Sequence, residues 1–229
     1  MHMAQNFGRG FKYSITHWFQ PIYHLGNNNI IGYEALLRDN SLLQASPIDI
    51  FKDAESNGYR NILDLISIEN ALKKFKNKSS TLFLNIFPST LLKKDFLSWW
   101  DIHVPQFIPI VLELLENEPI KNWEELKIVT EELKSRGIKI AIDDMGMGYS
   151  FFQQWIELNP DYIKLDRYFA ENLSLNFRKQ KMVKSLIDLF SDSTEIIIEG
   201  VEKEEDLVIA KLLGIPYAQG YLLGRPSPM

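Results

Sequence analysis

Residues 18–39 read WFQPIYHLGNNNIIGYEALLRD. Two apolar runs, Trp18–Tyr23 and Ile30–Leu37, flank the segment Gly26-Asn27-Asn28-Asn29, whose residues accept the bends and positive φ of tight turns. So short a connection predicts a hairpin. The chain therefore opens with an antiparallel pair of strands, where a parallel pair would need a helical crossover.

Beyond Arg38 the pattern changes. Ser46-Pro47 to Gly58 predicts a helix with N-cap, N1 proline and terminal glycine in their preferred places. A second helix, about Ile62–Phe75, carries Leu63, Ile66 and Leu72 on one face. Strands follow at Thr81–Ile86, Ile110–Leu114, Lys139–Ile142, Tyr162–Leu165, Glu195–Ile198 and Tyr217–Gln219. Helices intervene at Glu124–Arg136, Lys179–Phe190 and Glu204–Leu213, several ended by glycine (Gly137, Gly214). With the hairpin this gives about eight strands, and parallel βα units after the first. The reading is an α/β fold, a modified TIM (β/α)8-type barrel with an antiparallel first strand; periodicity alone leaves an open sheet as the alternative.

Composition sets outer bounds. The 229 residues suit one domain, and no linker, repeat or low-complexity stretch divides residues 1–229. A net charge of −5 argues against a duplex nucleic acid partner, which needs a basic face. A small anionic ligand stays compatible, because bound cations reverse the sign of an acidic pocket. The absence of cysteine excludes disulfides and thiolate metal sites. Met1 to Lys12 lacks the apolar core of a secretory signal, and no run approaches the roughly 18 apolar residues of a membrane span. A cytoplasmic protein with no membrane partner is the expectation.

Polar residues recur where the strands end. Glu34 lies in Ile-Ile-Gly-Tyr-Glu, Asn85 in Leu-Phe-Leu-Asn-Ile, and Glu113 interrupts Val-Leu-Glu-Leu-Leu. Asp143-Asp144 follow Ile-Ala-Ile, Lys164 and Asp166 sit in Tyr-Ile-Lys-Leu-Asp, Glu199 ends Ile-Ile-Ile-Glu, and Gln219 ends Tyr-Ala-Gln. One acid after a strand is usually a solvated turn residue. A carboxylate inside an apolar run, as at Glu113, is costly unless paired or metal-bound. In a barrel these ends converge on one mouth. Carboxylate and amide oxygens suit Mg²⁺ or Mn²⁺, whereas the four histidines lack ligand spacing, which disfavours zinc.

The ordered series resembles the EAL family. Gln20-Pro21-Ile22, Glu34-Ala35-Leu36-Leu37-Arg38, Leu84-Asn85 with Pro88, and Glu113-Leu114-Leu115-Glu116 match in order. So do Asp143-Asp144, Lys164-Leu165-Asp166, Glu199-Gly200-Val201-Glu202, Gln219-Gly220-Tyr221 and Gly224-Arg225-Pro226. The resemblance implies a barrel with a reversed first strand, and hydrolysis of cyclic di-GMP to linear 5′-pGpG. It implies a metal site of Glu34, Asn85, Glu113, Asp143, Asp144 and Glu199, holding two Mg²⁺ or Mn²⁺ ions. Lys164, with Glu34 and Glu199, would serve catalysis, the lysine positioning or deprotonating the attacking water, either as a base whose pKa two cations depress or by its charge alone. Gln20, Arg38, Asp166, Glu202 and Gln219 would contact the dinucleotide, and Glu116 would brace the loop after the paired aspartates. That loop departs from the family pattern at Met145, Met147 and Phe151, where bulky apolar side chains predict looser positioning. A cyclic di-GMP receptor without turnover, or a barrel that only scaffolds interactions, are the rival readings. Phe151, Phe152, Trp155 and Ile156 offer an apolar surface for a homodimer.

Overall fold

A computed structural model describes residues 12–115, 118–145, 151–190 and 192–229. Eight strands close into a barrel in sequence order. They are β1 (Ile15–His24), β2 (Ile30–Asp39), β3 (Thr81–Ile86), β4 (Ile110–Leu114), β5 (Lys139–Met145), β6 (Tyr162–Leu165), β7 (Glu195–Ile198) and β8 (Tyr217–Ala218). β1 runs antiparallel to both β2 and β8, and the remaining neighbours are parallel. Closure settles the open-sheet alternative.

The hairpin forms as the turn residues require. His24 N–H donates to Asn29 O at 2.8 Å, and Asn28 takes the left-handed conformation at φ 57°. The helices are α1 (Pro47–Ser56), α2 (Arg60–Lys74), α3 (Pro88–Leu91), α4 (Phe96–His103), α5 (Trp123–Ser135), α6 (Phe151–Leu158), α7 (Arg167–Ala170), α8 (Phe177–Phe190) and α9 (Glu204–Leu213). Ser46 caps α1 by accepting from Asp49 N–H, and Asn122 caps α5 by accepting from Glu125 N–H. Four helices were not expected. α3 and α7 are single turns, and α4 carries so many apolar residues that no amphipathic period stands out. α6 comes after the loop that follows the paired aspartates.

Strand side chains alternate with a period of two, so each parallel strand packs outward against helices and inward on the barrel axis. Outward residues such as Leu82, Leu84, Leu112 and Ile140 join Ile68, Phe96 and Trp100 in one apolar cluster. Ile163, Leu165, Ile196 and Ile198 join Val183, Leu186 and Phe190 in another. Inside, Ile22, Phe83, Val111, Ala141, Tyr162 and Ile197 form a closed apolar layer. Gly32 belongs to this level because a Cβ there would lie 2.5 Å from Thr81 O and 2.9 Å from the Phe83 ring.

Candidate active site

Two residues further along each strand, the inward position turns polar. Phe83 gives way to Asn85, Val111 to Glu113, Ala141 to Asp143, Tyr162 to Lys164, and Ile197 to Glu199. Gly32 is followed in this way by Glu34 and Tyr217 by Gln219, while on the reversed β1 the step from Ile22 runs back to Gln20. Cross-strand register brings Gln20 opposite Glu34 and Asn85 opposite Glu113. The apolar layer is thus a floor, and the polar layer stands on it at the mouth.

Lys164 stands among the acids and is 1% exposed. Its Nζ lies 2.7 Å from Glu199, 2.9 Å from Glu113, 2.9 Å from Asp143 and 3.4 Å from Glu34. Burial alone pulls the lysine pKa down, but the charges of Asp143, Glu113, Glu199 and Glu34 outweigh it and hold the pKa well above the ordinary lysine value. The sequence led to the expectation of a depressed value beside two cations; with the acids alone as neighbours the direction is the opposite. Burial pushes the Glu113 and Glu199 carboxyls well up, with Lys164 offsetting only part. Asp144 rises to about 6, through burial first and the Asp143 charge second. One ammonium cannot neutralise five carboxylates, so the layer retains a strong demand for positive charge.

A break in β5 aims the paired aspartates. In a regular strand neighbours face opposite sides. Here Ile142 pairs with Ile163 and Met145 with Leu165, leaving Asp143 and Asp144 opposite Lys164 alone. Asp144 adopts φ 47°, a left-handed conformation that aspartate tolerates better than most residues. As a result Asp143, Asp144 and Glu199 each offer an oxygen within 4.8 Å of the others. Among the described residues, Glu113 Oε2 has no hydrogen-bond partner although Glu113 is fully buried. An all-oxygen donor set with an unpartnered buried carboxylate oxygen fits a hard divalent cation. Met145, expected to loosen the loop, is instead a buried strand residue packed with Ile142, Ile163 and Leu165. Met147 lies outside the described residues, as does Glu116, and the Phe151 side chain is likewise not described.

Glu34 is held from two sides. Its Oε1 accepts from Asn85 Nδ2 at 3.2 Å and its Oε2 from Gln219 Nε2 at 2.7 Å. Gln219 Nε2 also donates to Gln20 Oε1 at 3.1 Å, and Gln20 Nε2 donates to Gly224 O at 3.0 Å. Gln219, expected at the ligand, thus braces Glu34 through its Nε2 while its Oε1 has no hydrogen-bond partner among the described residues, and Gln20 holds Gln219 in turn. Gly220 makes the approach of β8 possible, since a Cβ there would sit 2.1 Å from Val201 O.

Leu36 lines two cavities. The mouth cavity, about 380 Å³, holds Gln20, Glu34, Asp143, Lys164, Glu199 and Gln219; Asp144, Asp166 and Glu202 also line it. Asp166 caps α7 by accepting from Tyr168 N–H at 2.8 Å, and Glu202 lies 3.9 Å from Arg167. The larger cavity, about 780 Å³, takes Arg38 and Asn85 from the expected site. Arg38 stacks over Trp18 at 5.6 Å and donates to Leu37 O. Sequence reading passed over Asp64, which is buried on α2 and accepts Phe87 N–H at 2.9 Å, fixing the turn just beyond Asn85. An aspartate among Leu63, Ile66 and Ile68 on the inward face of a helix was the available signal.

A closed barrel with one reversed strand and a carboxylate-rich mouth defines a class of modified (β/α) barrels whose mouth offers oxygen ligands suited to a hard cation. The EAL domain family matches residues 12–226, and the chain belongs to that family. It is similar to the probable cyclic di-GMP phosphodiesterase PdeA of Escherichia coli (strain K12), 32% identical over 178 residues covering 72% of this chain and 24% of that protein. It is also similar to the cyclic di-GMP phosphodiesterase PdeF of the same strain, 29% identical over 233 residues, 93% of this chain and 30% of that protein. The chain thus spans less than a third of the length of these curated relatives. Among solved structures it resembles Klebsiella pneumoniae BlrP1 in a calcium and cyclic di-GMP complex, with TM-score 0.82, 26% identity, and 93% of this chain against 56% of that one. A standalone EAL protein from Vibrio cholerae O395, in its cyclic di-GMP-bound form, gives TM-score 0.80 and 26% identity, covering 95% of this chain and 94% of that one.

Proposed function

We propose that this chain hydrolyses cyclic di-GMP to linear 5′-pGpG with the help of two Mg²⁺ or Mn²⁺ ions. The observation that carries the reading is the cluster at the mouth: Glu34, Glu113, Asp143 and Glu199 lie within 3.4 Å of Lys164 Nζ, Asp144 groups with Asp143 and Glu199, and Asn85 donates to Glu34. Glu34, Asn85, Glu113, Asp143, Asp144 and Glu199 would hold the cations. Bound there, divalent ions polarise a phosphoryl oxygen and make a water nucleophilic at neutral pH.

The chain's own groups have separable tasks. Asn85 and Gln219 lock Glu34 in one orientation through both of its oxygens, and Gln20 holds Gln219 in turn. Lys164, on the inner wall between the acids, positions the attacking water and handles its proton. Arg38, beside the second cavity, offers a planar fork to a phosphate or base. The two neighbouring cavities suit an elongated ligand, with phosphodiester at the mouth and one end toward Arg38. Asp166 and Glu202 lie at the rim, where they would meet the rest of the dinucleotide.

The test is direct: purified protein, cyclic di-GMP and Mn²⁺, with products separated by chromatography. Conversion to 5′-pGpG that stops in excess EDTA is the expected result. Binding without conversion would replace the enzyme by a receptor, and absence of binding under every metal condition would leave only a scaffold.

A further inference from the structure

Asp143 and Glu199 belong to two sets at once. They supply two of the three oxygens that cluster within 4.8 Å, and they make two of the four contacts to Lys164 Nζ. The ammonium has three N–H donors and four carboxylate neighbours, so at least one contact is held by charge alone. It is also the only cationic side chain within salt-bridge reach of these acids among the described residues. An arriving divalent ion needs the same oxygens.

We infer that Lys164 is a built-in surrogate cation: it holds the mouth carboxylates together when no metal is bound and competes with metal for Asp143 and Glu199. The inference rests on the metal reading above. It adds a role to Lys164 that is separate from handling water, because it sets how tightly metal binds.

The sign of the effect distinguishes this role from plain structural support. Without metal, removing the ammonium leaves buried carboxylates repelling one another, so the protein loses stability. With metal, the ammonium is a like charge a few ångströms from the ion, and its removal favours binding. A lysine that merely props the ligands in place would do the opposite, since its loss would disorder the site and weaken metal binding.

The experiment compares the whole chain and Lys164→Met by calorimetric titration with Mn²⁺, and by thermal melting in EDTA and in saturating Mn²⁺. The expected result is Mn²⁺ affinity at least about tenfold tighter in Lys164→Met, the scale of one opposing charge at close range. Its Tm in EDTA should fall, and its Mn²⁺-induced rise in Tm should exceed that of the wild type. A variant that folds only when Mn²⁺ is present would support the inference equally. Equal or weaker Mn²⁺ binding by Lys164→Met, with the wild type binding normally, overturns it alone. No Mn²⁺ binding by the wild type overturns the metal reading and this inference together. Should Lys164→Met fold in neither condition, Lys164→Gln, which keeps hydrogen-bond donors without the charge, is judged by the same affinity criterion.

Discussion

Glu34 and Asp143 are buried at the mouth above the apolar floor, so their loss should be felt in chemistry more than in folding. Glu34→Ala or Asp143→Ala is expected to abolish turnover of cyclic di-GMP while circular dichroism stays native. Lys164→Ala, assayed at saturating Mn²⁺, should lower the rate by about 10²–10⁴, the usual span for acid–base catalysis. Nucleotide affinity should change much less; a variant that loses binding at unchanged rate per bound substrate would make Lys164 a binding residue. Asp144 gives the pH dependence. Its carboxyl stands at about 6 without metal, and only the ionised form binds a cation. Protons therefore compete below about pH 6, and Mn²⁺ affinity from calorimetry should fall there and flatten above it as far as this group contributes.

At the scale of elements, two local devices position the site: the break in β5 and the contact of α2 with the turn after β3. Burial pushes Asp64 on α2 to about 7, against hydrogen bonds from Phe87 N–H and Thr90 that favour its charge. The folded value lies above the ordinary 3.8, so the folded state binds this proton more readily than the unfolded chain. Its contribution to stability is full below about pH 4, is lost as pH rises toward 7, and is constant beyond. Asp64→Asn should flatten that part of the pH profile of urea unfolding; identical slopes in both proteins would show that Asp64 is ionised throughout. The expected strands Thr81–Ile86, Ile110–Leu114, Tyr162–Leu165 and Glu195–Ile198 coincide with β3, β4, β6 and β7. Their short, largely apolar runs end at clear polar or turn residues. β5 runs on to Met145, because a bulge is a choice between partners and leaves no periodic trace.

For the whole molecule, the exposed side of α6 concerns assembly. Phe152 is 52% and Ile156 67% exposed, whereas Trp155 packs edge-on against Phe190 with ring centroids 4.9 Å apart. A weak or moderate homodimer through this face is the expected state. Sedimentation at tens of micromolar should show self-association that Ile156→Glu reduces, and a monomer at that concentration would refute it. Among the described residues no helix is long and apolar enough to cross a membrane.

By itself the sequence determined what is local. Turn chemistry at residues 26–29 set the reversed first strand, and short apolar runs ended by polar residues marked the strands and nearly every mouth residue. Tertiary structure alone decided how those residues act on one another. Lys164 meets four acids from four other strands or strand ends, and Gln20 and Gln219 brace Glu34 although 199 residues separate the two glutamines. Asp143 and Asp144 turn to one side only because β6 is there to pair across the bulge. The physical reason is closure: a barrel seam and a shared ion cluster are made by contacts between distant segments, and their geometry exists only once all eight strands are in register.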